Sequence, residues 1–200
     1  MQIFSDINHS IRGQISTLIR DSTGSKKGHQ NSLAENFLEE KIKLPIKLNN
    51  DTLFLNRYFL NYFGTLPRYV YSDPDGVIFF AEEKQILSIQ KALENKIKQI
   101  QRRLSGRLVQ MKIYADTLGE FVINVFSHVR HRNMFDLHSK LNKRTKTLAV
   151  YLRILDGKMP FALGKKGKNI HMINRLMETI RFDDEELDKS IKRIQIFLRS

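Results

Sequence analysis

Apolar residues recur at helical spacing at Ile86, Ile89, Leu93, Ile97, Ile100 and Leu104, while Lys91, Lys96, Lys98, Arg102 and Arg103 occupy the rest of the cylinder. This spacing predicts one long helix over 81–104, closed by Ser105-Gly106. Two shorter helices are expected upstream, over 32–42 and 51–63. The second holds Leu53, Phe54, Leu55, Tyr58, Phe59, Leu60, Tyr62 and Phe63, which read most simply as core. In "YSDPDGVIFF" proline stands at the second turn position and glycine follows where positive φ is wanted, so a turn and a domain boundary are placed there. Downstream, "RLVQMKIYA" alternates, with Val109, Met111, Ile113 and Ala115 on one face and Leu108, Gln110 and Lys112 on the other, as in a half-buried strand. "EFVINVFSHV" would complete a hairpin after the turn "DTLG", although a buried helix fits it too. The basic stretch 131–147 is expected to hold a short helix around 135–141. "TLAVYLRIL" reads as strand by its β-branched and aromatic content, with helix as the alternative. "KRIQIFLRS" alternates Ile194, Ile196 and Leu198 against Arg193, Gln195 and Phe197, again a strand. The class is α+β: a mainly helical region over 1–80, then a mixed domain over 81–200.

Charge changes the picture. The 200 residues have 41% hydrophobic content, enough for a core, and a formal net charge of +13. Residues 1–100 hold 13 Lys and Arg against 11 Asp and Glu; residues 101–200 hold 21 against 10, so the second half supplies +11 of the total. A clustered excess of this sign attracts polyanions, with nucleic acid the leading partner and an anionic membrane surface or a solubility charge the alternatives. The segment 21–31, "DSTGSKKGHQN", has no apolar periodicity and reads as a basic loop. No cysteine is present, which removes disulfides, thiolate zinc sites and cysteine nucleophiles. No apolar run approaches the roughly 20 residues that cross a bilayer, so no membrane partner is expected. Asp6 and Asp21 spoil a transit-peptide reading of the amphipathic first twenty residues. The abundance of Ile, Lys, Phe and Asn is typical of AT-rich genomes and hints at an organelle, parasite or endosymbiont source.

Candidate chemistry is sparse. His128, His131 and His138, with Asp136, have a partial metal-ligand spacing, but Arg130 and Arg132 between them repel a divalent cation. The acidic run Asp183, Asp184, Glu185, Glu186 and Asp188 reads as a solvated turn. Nothing resembles a nucleophile elbow. No catalytic residue, metal or cofactor is expected, and the protein is read as a binder, not an enzyme.

One motif stands apart. In "MPFALGKKGKNIHMINRLMETI", Gly164 and Gly167 flank Lys165 and Lys166, and Ile170, Ile173, Leu176, Met177 and Ile180 then recur at helical spacing. Unpaired backbone N–H groups at a helix start, with the positive end of its dipole, bind anionic oxygens. Glycines let a phosphate backbone approach closely, and Lys158, Lys165, Lys166 and Lys168 add charge. Such a loop grips phosphates without reading bases. A dinucleotide or Walker loop would need a third glycine or a Ser or Thr after the lysine, and neither is present.

"ALGKKGKNIHMINRLMETI" resembles the GxxG loop and following helix of KH RNA-binding domains, most closely those of the transcription elongation factor NusA and of small-subunit ribosomal protein S three. In that family the loop joins two helices and clamps the backbone of about four nucleotides beside an apolar groove. The resemblance implies a type II, bacterial KH-like domain with a small mixed sheet packed on helices, since one strand follows the loop helix. It implies that Gly164, Lys165, Lys166 and Gly167 form the clamp, that Lys168 and Asn169 are its helix-side edge, and that Leu163 and Ile170 are part of the groove floor. Residues 130–146 would be a basic insertion. A basic face of Arg102, Arg103, Arg107, Arg130, Arg132, Lys140, Lys143, Arg144 and Lys146 would reinforce the clamp. The implied partners are RNA, foremost ribosomal RNA, and neighbouring ribosomal proteins. The implied place is the ribosome, mitochondrial by the compositional hint and otherwise cytoplasmic. A NusA-like transcription or RNA-processing factor is the alternative, and a nucleotide-binding enzyme a third reading.

Overall fold

In the computed structural model, residues 37–45, 50–89, 93–104, 107–126, 136–154 and 156–199 are described. All belong to one unit spanning residues 34–200. The chain makes a short strand β1 (Ile42–Lys43), helix α1 (Asn50–Phe63), strands β2 (Tyr69–Ser72) and β3 (Gly76–Ala81), helices α2 (Glu83–Ile89) and α3 (Leu93–Arg103), and strand β4 (Leu108–Ile113). Next come helix α4 (Leu118–Phe126), strands β5 (Asp136–Asn142) and β6 (Thr147–Arg153), helices α5 (Met159–Leu163) and α6 (Lys168–Met177), strand β7 (Arg181–Phe182), helix α7 (Glu185–Ser190) and strand β8 (Arg193–Arg199).

Two halves of this list repeat one plan. In the first sheet the order is β2-β3-β4, with β2 antiparallel and β4 parallel to the central β3. In the second the order is β5-β6-β8, with β5 antiparallel and β8 parallel to the central β6. Each sheet follows the order helix, strand, strand, helix, helix, strand: α1-β2-β3-α2-α3-β4, then α4-β5-β6-α5-α6-β8. The second copy inserts β7 and α7 before its last strand, and β7 pairs back with β1. A parallel neighbour requires a crossover, and in both copies the helix pair supplies it.

Packing stacks these parts in layers. Leu55, Phe59 and Phe63 of α1, with Ile86 and Ile100, bury one face of the first sheet, including Val77, Phe79, Val109 and Met111. The opposite face, with Tyr69, Tyr71, Ile78 and Phe80, packs on α4 and α6, and the Phe80 and Phe121 rings stack at 5.0 Å. Those two helices also cover Leu148, Val150, Leu152, Ile194 and Ile196 of the second sheet. The first sheet is therefore buried on both faces, which accounts for the uninterrupted burial of β3.

Several expectations change. "YSDPDGVIFF" joins β2 to β3 within one sheet, and β3 pairs with β4, so the chain does not divide at residue 80. Residues 37–42 form a turn and β1 instead of continuing a helix, while 32–36 lie outside the described residues. The long helix over 81–104 is described as α2 and α3, with 90–92 outside the described residues. On α1 the 3.6-residue period turns only one stripe to the sheet, and Leu53 and Phe54 stay half exposed. The expected hairpin is absent because 118–126 is helical: Leu118, Phe121, Val122, Val125 and Phe126 are all buried, the spacing of one helix face. The helix expected around 135–141 is strand β5, paired with β6 along its whole length. Residues 136–146 are thus an edge strand and its turn, integral to the sheet and not an insertion. The acidic run begins α7, where Asp184 accepts the Leu187 N–H at 2.9 Å.

Lys112 also departs from its expected half-exposed place. In register with Phe80, it lies on the face covered by α4 and is 6% exposed. Burial pushes its ammonium down to about 7. An unfolded lysine titrates near 10.4, so between pH 7 and about 10 the unfolded chain holds a proton that the folded chain lacks. Stability should therefore rise with pH across that window, by at most about 1.4 kcal/mol per unit. Denaturant titrations at several pH values check this: Lys112→Met should flatten the rise, and an equally steep profile in the variant would refute the assignment.

Candidate nucleic-acid interface

The glycine loop joins α5 to α6. Pro160 stands in the first turn of α5, and the Gly164 N–H donates to the Pro160 carbonyl at 2.9 Å to end it. Gly164 has φ 71° and ψ 174°, a conformation open essentially to glycine alone. Lys166 (φ 56°) and Gly167 (φ 72°) are left-handed, and the Gly167 N–H donates to the Gly164 carbonyl at 3.1 Å. These reversals make a one-turn loop from which Lys165 and Lys166 project exposed, and α6 starts directly behind it. Beside it Phe161 is 66% exposed, with the Lys158 ammonium 5.8 Å from its ring centre, and Leu163 is 38% exposed. Cations and apolar surface thus meet at one end of the helix pair.

Asn169 has a different part from the one expected. It is buried, donates from Nδ2 to the Ala162 carbonyl at 2.9 Å, and accepts from Gln110 Nε2 at 2.7 Å. It locks α5 to α6 and both to β4, so it shapes the loop from behind. Lys168 lies 3.4 Å from Asp75 in the β2–β3 turn. Arg175, two turns along α6, donates to Asp73 at 2.8 and 3.0 Å and to Asp75 at 2.7 Å. The Asp73 side chain is 8% exposed and also accepts from the Tyr71 hydroxyl and the N–H groups of Asp75 and Gly76. Hydrogen bonding from Arg175, then from Lys168, holds the Asp75 carboxyl below its usual range. The first copy of the fold thereby grips the helix that carries the loop of the second. No sequence signal marks that contact, because its partners stand about a hundred positions apart.

The remaining expected residues do not gather on one face. Arg102 and Arg103 end α3, in the helical layer outside the first sheet. Arg107 is committed to structure: its Nη2 donates to Ser72 Oγ at 2.9 Å, to the Gly76 carbonyl at 3.3 Å and to the Asp73 carbonyl. Lys140, on β5, and Lys143, Arg144 and Lys146, in the β5–β6 turn, are exposed on the second sheet. Two intervening layers separate that group from Arg102 and Arg103. Arg130, Arg132 and the pair His128 and His131 lie outside the described residues. Among the described residues, no helix is long and apolar enough to cross a membrane.

No protein-family model matches the chain, and no curated protein matches it. Solved structures do. The one described as "Crystal structure of APE1850" is 19% identical, superposes with a TM-score of 0.51, and covers 75% of this chain and 100% of its own. At that identity the likeness shows the fold alone, an α+β arrangement of small sheets and helices. In the present chain the glycine loop occurs only in the second copy. Between α2 and α3, the corresponding place in the first, the sequence reads Gln90-Lys91-Ala92, without glycine.

Proposed function

We propose that this protein binds RNA and performs no chemistry of its own, as a tandem of two type II KH-like units of which the second carries the clamp. The observation that carries the reading is the loop 164–167: two helices joined by a glycine-flanked lysine pair, with both lysines exposed and the start of α6 directly behind. The order around it supports the bacterial arrangement, since a helix and two strands precede the helix pair and, beyond the inserted β7 and α7, one strand of the same sheet follows, parallel to the central strand. Lys158, Lys165, Lys166 and Lys168 would contact phosphates, with Phe161, Leu163 and Ile170 as apolar neighbours for bases. Ribosomal RNA of the small subunit is the target that best suits a basic chain resembling S three. The repeated unit favours the second reading, a NusA-like transcription or RNA-processing factor, because NusA repeats its KH unit.

Lys165→Asp together with Lys166→Asp should weaken binding to single-stranded RNA about ten- to hundredfold. The salt dependence of log K should flatten by about 0.7 for each lost contact. Unchanged affinity in a folded double variant would sink the reading. Sedimentation then separates the targets: a ribosomal protein stays with the small subunit through a moderate salt wash, whereas a transcription factor travels with polymerase.

A further inference from the structure

The second sheet keeps one face open where the first sheet does not. The corresponding face of the first sheet presents Tyr69, Tyr71, Ile78 and Phe80, and all four are buried against the second copy. On β5-β6-β8 the residues pointing away from the helices are half-buried or exposed, strand after strand. A solvated sheet face ordinarily carries polar residues. This one carries a row of rings.

His138, Tyr151 and Phe197 are direct partners in register across all three strands. Their rings stack with centroids 4.8 and 5.3 Å apart and planes 15° and 24° from parallel. Because β5 and β8 are the two edges of this sheet, the row ends in an exposed His138 at one side and a 39% exposed Phe197 at the other. Arg199 lies 4.1 Å from the centre of the Tyr151 ring, and Arg153 and Lys140 are exposed on the same face. Asp136 is the one carboxylate there among the described residues. Cross-strand ring pairs steady a sheet by themselves. Here they also offer π surface at both ends of a row bordered by cations, the pairing that receives unpaired bases and their phosphates. Protein interfaces instead deplete charge at their centre.

The geometry points to a second nucleic-acid surface: the open face of the second sheet binds single-stranded RNA, stacking bases on the row His138, Tyr151 and Phe197 while Arg153, Arg199 and Lys140 meet its phosphates. This surface lies on the side of the sheet opposite α5 and α6, so it does not depend on the loop 164–167 acting as a clamp.

The full chain can be titrated with a short single-stranded RNA of mixed sequence carrying 2-aminopurine, whose fluorescence is quenched on stacking. The double variant Tyr151→Thr and Phe197→Thr keeps strand-forming residues and should bind about tenfold more weakly, with the quench lost and the salt slope unchanged. Arg153→Gln with Arg199→Gln should keep the quench and flatten the slope by about 1.4. Circular dichroism checks the fold, and the single variant His138→Thr at the sheet edge substitutes if the double variant does not fold. Loss of affinity on placing the sheet substitutions in the Lys165→Asp, Lys166→Asp background supports the surface whether or not the loop reading survives. Unchanged affinity and quench in a folded sheet variant overturns it. So does self-association of the wild type that the sheet substitutions abolish while RNA affinity stays constant, which would make the face an interface between chains.

Discussion

Gly164→Ala is expected to cost about 2–4 kcal/mol of stability and to weaken RNA binding at least tenfold. A side chain at φ 71°, ψ 174° is strained wherever it sits, by about 1–3 kcal/mol. The added Cβ would also lie 2.8 Å from the Cβ of Asn169. Asn169 has little freedom to retreat, because it is buried and bonded to Ala162 on one side and Gln110 on the other. The strain must therefore go into the loop, tilting Lys165 and Lys166 away from α6. Gly167→Ala offers the comparison. Its φ of 72° is ordinary left-handed backbone, and its nearest neighbour would be the exposed His171 ring at 3.4 Å, so its cost should stay near 1–2 kcal/mol. Denaturant unfolding and RNA titration of the two variants together check the ranking. Equal costs would show that the loop is not held from behind by Asn169.

Gly76→Ala should cost about 3 kcal/mol, a large effect for a single methyl group. Gly76 opens β3 opposite Leu108, and a Cβ there would come within 2.6 Å of the Leu108 carbonyl oxygen and 2.9 Å of Met172 Sδ. Met172 can bend, but the Leu108 carbonyl is backbone of the adjacent strand and cannot move without disturbing β4. The turn ahead of Gly76 is the one that holds Arg175 and Lys168 through Asp73 and Asp75. Displacing it should loosen the first copy from α6. A double-mutant cycle tests that consequence: Arg175→Met should cost clearly less in the Gly76→Ala background than in the wild type. Strict additivity would mean that the turn keeps its grip despite the methyl group.

Both glycines were visible as letters, but only one was visible as a site. Gly164 stands in a motif whose chemistry is local: two glycines, two lysines and a helix start lie within a few residues, and their purpose can be argued from neighbours in the chain. Gly76 looked like an ordinary turn residue. What makes it intolerant is a carbonyl from a strand 32 positions later and a methionine nearly a hundred positions on. The hydrogen bonds of Arg107 and Asn169 were hidden from the sequence for the same reason, since their partners come from other elements of the fold.

Local physics was enough for α1, for the strand phases of β4 and β8, and for the loop with its helix, because periodicity and turn chemistry act over a few residues. It was not enough where both phases of a segment are apolar. Leu118 to Phe126 fits a strand or a helix until the first sheet's Tyr69, Ile78 and Phe80 require a surface to pack on, and a helix supplies one. Nor does charge alone decide the fate of a residue. Lys112 and Lys140 are alike in sequence, yet one is sealed against α4 and the other lies on an open sheet face. The repeated plan was hidden because the two copies differ where a motif would show: only the second has the glycine loop. By itself the sequence determined the loop, its charge and the main periodic elements. Only the tertiary structure decided that the first copy covers one side of the second and leaves its ringed sheet face open, because long-range packing, not local preference, selects which apolar faces meet.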